Sequence, residues 1–193
     1  VNALIRRYGR PGTVRIELAR DLKRSRKERM RITRNMRTRE KEREDATEKI
    51  LAEVKGIRPS SRDKEKVLLA EECGWVCPYT GKAITMASLV GSVPQFDVEH
   101  ILPFSRSQDN SFINKTLCAA DENRHVKKNK TPFEAYSGDE EKWAQIIARV
   151  ASFKSDIARI KLERFLMQEI DPGFVGRDLS DTRYISSLAA DYL

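Results

Sequence analysis

Three side chains in the middle of the sequence could together hydrolyse a phosphodiester bond. Glu99 and His100 are adjacent in FDVEHILP (96–103), and Asn123 follows in DENRHVKKNK (121–130). A carboxylate and an amide oxygen are hard ligands that Mg²⁺ accepts while it keeps several waters. An imidazole with an ordinary pKa of about 6.5 can take a proton from water at neutral pH. These residue types indicate a one-metal phosphodiesterase, although a histidine after a strand and an asparagine at a helix start are also common structural residues.

Two strands and a helix are expected to position these groups. Alternation of apolar and polar residues over 96–100 predicts a strand, which Pro103 ends because proline cannot continue the ladder. Strict alternation points the carboxylate and the imidazole to opposite faces, so they act on one atom only if the strand ends or twists there. Segment 112–118 predicts a second strand, and segment 121–130 predicts a helix capped by Asp121.

Cap residues predict three more helices around this unit. Ser60 or Ser61 begins one of them, with Asp63 in its first turn. The segment TPFE, residues 131–134, has the form of a capping box. Asp139 is expected to begin a third helix, and its core-facing stripe is predicted at Ile146, Val150, Phe153, Ile157 and Ile160.

The charge of the chain favours a polyanionic partner. The 193 residues carry a formal net charge of +8, and 39% of them are hydrophobic. Most of the excess lies in residues 20–49, where 13 Lys or Arg stand against 7 Asp or Glu. This segment has no glycine or proline, so it predicts a long solvated helix. Such a helix could be a charged connector, could lie along a phosphate backbone, or could do both.

Other classes of protein find little support in the sequence. No apolar run approaches the roughly 20 residues needed to span a bilayer, and no apolar signal region opens the chain. Three cysteines without a secretory signal indicate a reduced, cytoplasmic protein. Cys77 and Thr80 stand where a zinc knuckle would have its Cys-x-x-Cys pair, so we predict no structural zinc. We expect Cys73, Cys77 and Cys118 to be small buried residues, and a first residue of Val indicates a piece of a longer protein.

The segment FDVEHILPFSRSQDNSFINKTL, followed by ENR and KKNKTPFE, resembles the HNH nuclease motif, which is a ββα-metal site. It most resembles the version in the RNA-guided endonucleases of type II CRISPR systems, the Cas-nine family. The resemblance implies that His100 activates water and that Glu99 and Asn123 bind Mg²⁺, with Mn²⁺ as a possible substitute. It also implies that Asn114 and Asp97 support the site. Many family members have Asp at the position of Glu99. The surrounding basic residues are expected to contact phosphates: Lys115, Arg124, Lys127, Lys128 and Lys130.

The two ends of the chain resemble other parts of the same family. YGRPGTVRIELARDLKRSRKER, residues 8–29, resembles the second segment of its split RuvC-like nuclease domain. That resemblance implies that Glu17, on the polar face of a predicted strand, binds metal. Residues 174–193 resemble the entry to the third RuvC-like segment. The remaining RuvC-like ligands are absent, so we expect no complete RuvC-like site in these 193 residues.

We therefore predict an α+β fold that is mostly helical, with the ββα-metal motif embedded in helices. A RuvC-edge strand and the long basic helix precede that motif. The predicted divisions are a partial RuvC-like strand at 1–18, a basic connector helix and linker at 19–58, an HNH nuclease domain at 59–170, and a second linker with the start of a RuvC-like segment at 171–193.

The predicted function is that of an Mg²⁺-dependent DNA endonuclease domain, which cuts the target strand paired with a guide RNA. Its partners would be target DNA and, in the full-length protein, a crRNA with its tracrRNA; we expect a monomer and no membrane partner. One alternative is a free-standing HNH endonuclease, which the RuvC-like flanks argue against. Another is a catalytically inactive basic nucleic-acid-binding module, which the intact Glu99, His100 and Asn123 argue against.

Overall fold

The protein is described here by a computed structural model that covers residues 6–9 and 25–170. The predicted RuvC-edge strand with Glu17, and the segment 171–193, lie outside the described residues. The described part is mostly helical with one two-stranded sheet. Its helices are α1 (Arg26–Glu53), α2 (Ser61–Glu72), α3 (Met86–Val90), α4 (Phe104–Ser107), α5 (Ala120–Glu122), α6 (Pro132–Tyr136), α7 (Glu140–Ala151) and α8 (Ala158–Phe165), and its strands are β1 (Phe96–His100) and β2 (Lys115–Ala119).

The long basic helix α1 has two parts with different environments. Its first two-thirds are exposed, as the sparse apolar positions predict. Its last turns carry Ala46 and Ile50, which are buried against the rest of the protein, so this end of the helix belongs to the core. The chain leaves the helix near Gly56, whose φ of +76° is accessible to glycine at little cost. Within residues 6–9 and 25–170, no helix has the length and apolar character to cross a bilayer.

The predicted helix caps at residues 60, 131 and 139 are confirmed. The Ser60 hydroxyl accepts from the backbone N–H of Asp63 at 3.2 Å, and the Asp63 carboxylate accepts from the Ser60 N–H at 2.9 Å. The same reciprocal pair forms at the start of α6, and Asp139 accepts from the first turn of α7. Each cap satisfies helix N–H groups that have no partner inside the helix.

The two strands pair antiparallel, with Phe96 opposite Ala119 and His100 opposite Lys115. The second strand is shorter than predicted, because residues 112–114 form a 3₁₀ turn instead. Asn114 lies in this turn: its side chain is buried and hydrogen-bonded to the loop after β1, and its backbone carbonyl accepts from the N–H of Ile101 at 2.8 Å.

The structure also differs from the helix predicted at 121–130. It begins at Ala120 without any side-chain cap, so Asp121 lies in its first turn and does not cap it. The strand runs directly into the helix: the Ala120 N–H still bonds the carbonyl of Gln95, and the cap position falls on Ala119, whose side chain cannot accept a hydrogen bond. From Asn123 the helix continues as a π turn (Asn123–Lys127). π turns are rare and occur frequently at functional sites.

The apolar stripe predicted for the helix that begins after Asp139 is correct only in its first half. Ile146 and Val150 of α7 are fully buried, and Phe153 is buried just beyond it. The helix ends at Ala151, and the next helix starts a new direction, so Ile160 is 42% exposed. The core therefore lies between α2, α7, α8, the end of α1 and the sheet.

Candidate active site

Glu99 lies at the end of β1 with its side chain buried against the π turn. The ammonium group of Lys127, which is also fully buried, pairs with the Glu99 carboxylate and donates to the backbone carbonyl of His100 at 2.7 Å. The Asn123 side chain is close enough to lower the pKa of the same carboxyl. The fold therefore places Glu99, Asn123 and Lys127 close to one another.

Burial dominates the electrostatics of this cluster. It raises the pKa of the Glu99 carboxyl, while Lys127 and Asn123 act in the opposite direction. Burial also lowers the pKa of the Lys127 ammonium, against the attraction of Glu99. A buried ion pair of this kind is held in place because neither charge tolerates the loss of the other.

The oxygen atoms of Glu99 and Asn123 fit a magnesium ion that keeps open positions. Mg²⁺ is commonly held by one or two carboxylates, with waters and substrate phosphates completing its six ligands. Among the described residues no group of three or more His, Cys, Asp or Glu side chains could hold a metal ion by itself. The three cysteines are buried and free, as predicted for small core residues.

His100 faces away from this cluster and towards a cavity that it shares with Val98. Its Nε2 lies 3.0 Å from Oδ1 of Asn110, and its ring is tilted against Phe104 at 5.6 Å between centroids. An amide oxygen can only accept a hydrogen bond, so Nε2 carries the proton and Nδ1 is the basic nitrogen. Residue type alone did not identify Asn110, because its contact with His100 crosses a polar loop of ten residues.

Asn114 holds that loop in shape. It is fully buried, its amide donates to the carbonyls of Leu102 at 2.8 Å and Asp109 at 2.9 Å, and its Oδ1 accepts from Leu102 N–H at 3.0 Å. These bonds tie the residues after β1 to the start of β2. This placement agrees with the supporting role that the resemblance implies for Asn114.

Asp109 adds a second anchor that sequence reasoning missed. Its carboxylate accepts from Arg164 of α8 at 2.6 Å and from the Ser111 N–H at 2.7 Å. Burial alone would raise the pKa of Asp109, but the hydrogen bonds from Ser111 and Arg164 outweigh it and hold this pKa below its usual value. Asp109 precedes Asn110, so this ion pair fixes the backbone from which Asn110 reaches His100.

The predicted phosphate contacts lie in different environments. Lys127 is buried in the ion pair with Glu99, so it does not fit a solvent-facing phosphate contact, and that prediction is wrong for this structure. Lys115 is mostly buried and pairs with Glu65 at 2.9 Å. Arg124 is exposed and lies 3.2 Å from Asp97, whose side chain is on the same strand face as Glu99. Lys128 and Lys130 are exposed.

The geometry therefore offers a carboxylate and an amide oxygen for a metal on one side of β1, and an oriented imidazole at its end.

Comparison with known proteins identifies similar chains. Residues 77–133 match the family described as HNH endonuclease. The chain is 31% identical over 192 residues to the CRISPR-associated endonuclease Cas9 of Campylobacter jejuni, an alignment that covers 100% of this chain and 19% of that protein.

Two further matches extend over nearly the whole chain. It is 29% identical over 208 residues to the CRISPR-associated endonuclease Cas9 1 of Streptococcus thermophilus, with 100% of this chain and 18% of that protein covered. A crystal structure of Streptococcus thermophilus Cas9 in complex with the AGGA PAM matches with a TM-score of 0.65 and 29% identity, covering 96% of this chain and 19% of that one. The chain thus spans about a fifth of the length of these relatives.

Proposed function

Since this chain carries an HNH endonuclease domain of the type II CRISPR Cas9 kind, we propose that it hydrolyses phosphodiester bonds of DNA within a longer guided protein. The strand it cuts would be the one paired with a guide RNA. The observation that supports this proposal is that β1 carries Glu99 close to Asn123 and ends on His100, whose ring is oriented by Asn110.

His100 is the proposed general base. Its Nε2–H is engaged by Asn110, so Nδ1 is free to accept a proton from a water molecule. The proton moves to Nδ1 as the water oxygen attacks phosphorus, and the bond to the departing 3′ oxygen breaks. Asn110 stabilises the imidazolium that forms, because its Oδ1 accepts a stronger hydrogen bond from a charged ring.

Glu99 and Asn123 are the proposed metal ligands. Mg²⁺, or Mn²⁺ in its place, would supply charge stabilisation for the phosphate oxygens and the leaving group. Lys127 holds Glu99 against the π turn and thereby fixes the carboxylate next to Asn123. Glu17 and a RuvC-like site remain proposals for the residues outside the described part of the chain.

The proposed partners are target DNA and, in the longer protein, a guide RNA. Exposed Arg124, Lys128 and Lys130 would contact phosphates, which position a strand without reading its sequence. Sequence choice would come from pairing with the guide, so the isolated chain should bind DNA without sequence preference. A monomer in the cytoplasm is the arrangement proposed for such a protein.

A cleavage assay with two matched variants tests this proposal. His100→Ala should slow Mg²⁺-dependent nicking of duplex DNA by about 10²- to 10⁴-fold, the usual contribution of a positioned general base. His125→Ala is the control, because His125 is exposed and contacts only the carbonyl of Asp121 at 3.1 Å among the described residues.

We expect the isolated chain to cut DNA weakly, because it acts within a longer protein. Cleavage is therefore measured over long incubations at high enzyme concentration. Cleavage that persists in EDTA, or a larger loss with His125→Ala than with His100→Ala, would contradict the proposed mechanism. Efficient cutting at one sequence without guide RNA would favour a free-standing endonuclease instead.

A further inference from the structure

A cavity of about 810 Å³ opens beside His100 and is lined by residues far apart in the sequence. Helix α1 forms one wall with Arg39 and Arg43. The first turn of α2 forms the other wall with Arg62 and Lys64, and β1 contributes the base of the cavity. The basic helix and the strand that carries the proposed general base therefore line the same cavity.

The cavity continues outward along α1. A second cavity of about 720 Å³ shares Arg39, Arg43 and Lys64 with the first, and it reaches Met36 and Ile32. The two cavities form one groove between α1 and α2, which we call the α1–α2 groove. Arg43 lies 11 positions after Ile32, which corresponds to about 16 Å along a helix axis, so the groove leads well away from His100.

The inner end of the groove is strongly cationic. Among the residues that the structure describes, five basic side chains line the first cavity, and the only acidic one is Glu65, which pairs with Lys115 at 2.9 Å. The other four basic side chains have no ion-pair partner within residues 6–9 and 25–170: Arg39, Arg43, Arg62 and Lys64. The outer cavity is more balanced, since Glu40 and Glu44 line it as well. Positive charge is therefore concentrated closest to the imidazole.

We propose that the α1–α2 groove binds one strand of a polynucleotide and delivers its backbone to His100, an inference that rests on the proposed nuclease function. Unpaired cations on both walls suit phosphates, and the partly exposed Ile32 and Leu68 with the exposed Met36 offer apolar contact for bases. Volumes of about 810 and 720 Å³ are of the size that holds a small ligand or a few nucleotides of one strand.

This inference gives α1 a role beyond that of a connector. One face of the helix, with Arg39 and Arg43 at positions i and i+4, belongs to the substrate site. The opposite face does not, because at 3.6 residues per turn Arg34 and Arg37 point away from the groove. The pair Arg39 and Arg43 and the pair Arg34 and Arg37 carry equal charge, and all four side chains are exposed. Comparing substitutions of the two pairs therefore distinguishes binding in the groove from general attraction to a basic helix.

The test measures binding of a fluorescein-labelled DNA strand of about 16 nucleotides to the whole chain. EDTA is present so that the proposed metal-dependent nuclease does not cleave the strand. Each phosphate contact contributes about 0.7 to the slope of log K against log salt for single strands, or about fivefold at 0.1 M salt. The double variant Arg39→Gln/Arg43→Gln should therefore bind about 25-fold more weakly, with a slope reduced by about 1.4. The control Arg34→Gln/Arg37→Gln should lose markedly less.

Three outcomes would refute the proposal that the groove binds a strand. The first is an equal loss of affinity in the two double variants, and the second is an unchanged affinity of Arg39→Gln/Arg43→Gln for the single strand. The third is a loss of affinity seen only with duplex DNA. Should the α1 variant lose helicity by circular dichroism, Arg62→Gln/Lys64→Gln tests the facing wall with the same expected loss. Cleavage is scored separately: a chain that binds through the groove but never cuts with Mg²⁺ refutes the nuclease proposal and leaves the groove intact.

Discussion

Replacing Lys127 by Met should expose how the site compensates the buried charge of Glu99. Met keeps most of the side-chain volume but removes the ammonium, so the carboxylate and the carbonyl of His100 both lose their donor. Removing one partner of a buried ion pair costs about 3–5 kcal/mol. At about 2–4 °C per kcal/mol for a chain of this size, the melting temperature should fall by about 6–20 °C.

Magnesium should restore part of this loss. With Lys127 gone, a divalent cation at Glu99 and Asn123 no longer meets a positive charge a few ångströms away, and a unit charge at 4 Å is worth up to about 4 kcal/mol near a protein surface. We expect Mg²⁺ to bind the variant at least about tenfold more tightly, or about 1.4 kcal/mol. Mg²⁺ should therefore raise the melting temperature of Lys127→Met more than that of the unchanged chain.

A second buried pair in the same protein supplies the control. Lys161 is fully buried, pairs with Glu72 and donates to the carbonyl of Lys115 at 2.7 Å, but it lies away from Asn123. Lys161→Met should lose a similar amount of stability and gain nothing from Mg²⁺. Thermal unfolding by circular dichroism with Mg²⁺ or EDTA, and calorimetric titration with Mg²⁺, measure both quantities. An equal Mg²⁺ response in the two variants would refute the placement of the metal beside Glu99.

Two other predictions concern the loop that supports His100. Asn110→Ala should lower the rate of cleavage with little change in DNA affinity, and ¹⁵N NMR of the His100 ring should show the loss of the fixed Nε2–H tautomer. The control Asn129→Ala, in the same region but away from the imidazole, should change neither the rate nor the tautomer. An unchanged ring tautomer in Asn110→Ala would argue against the role of Asn110. Because the folded state holds the pKa of Asp109 below the ordinary 3.8, this carboxylate stabilises the fold above that pH, and its contribution disappears as the pH falls through the lower folded value. Urea unfolding between pH 5 and pH 2 should accordingly show a steeper loss of stability for the unchanged chain than for Asp109→Asn, in which this side chain carries no charge at any pH. Parallel curves would contradict this assignment.

The sequence by itself determined the features that depend on neighbouring residues. A cap needs only a hydroxyl or carboxylate and an N–H two or three residues later, so the caps at Ser60, Thr131 and Asp139 could be predicted from their local spacing. The first strand was predictable for a similar reason, because its alternation and the proline after it are local. The types of Glu99 and Asn123 likewise support the prediction that both bind a metal, which stays a prediction.

Tertiary structure decided the rest, because those features arise from contacts between distant parts of the chain. A lysine in a basic segment is normally solvated, and only the packing of the π turn against β1 buries Lys127 and turns a predicted phosphate contact into the partner of Glu99. The first and last residues of the π turn, Asn123 and Lys127, both act on the carboxylate of Glu99. Arg39 reaches the cavity of His100 across 61 positions of sequence, because the buried end of α1 at Ile50 sets where the rest of that helix lies.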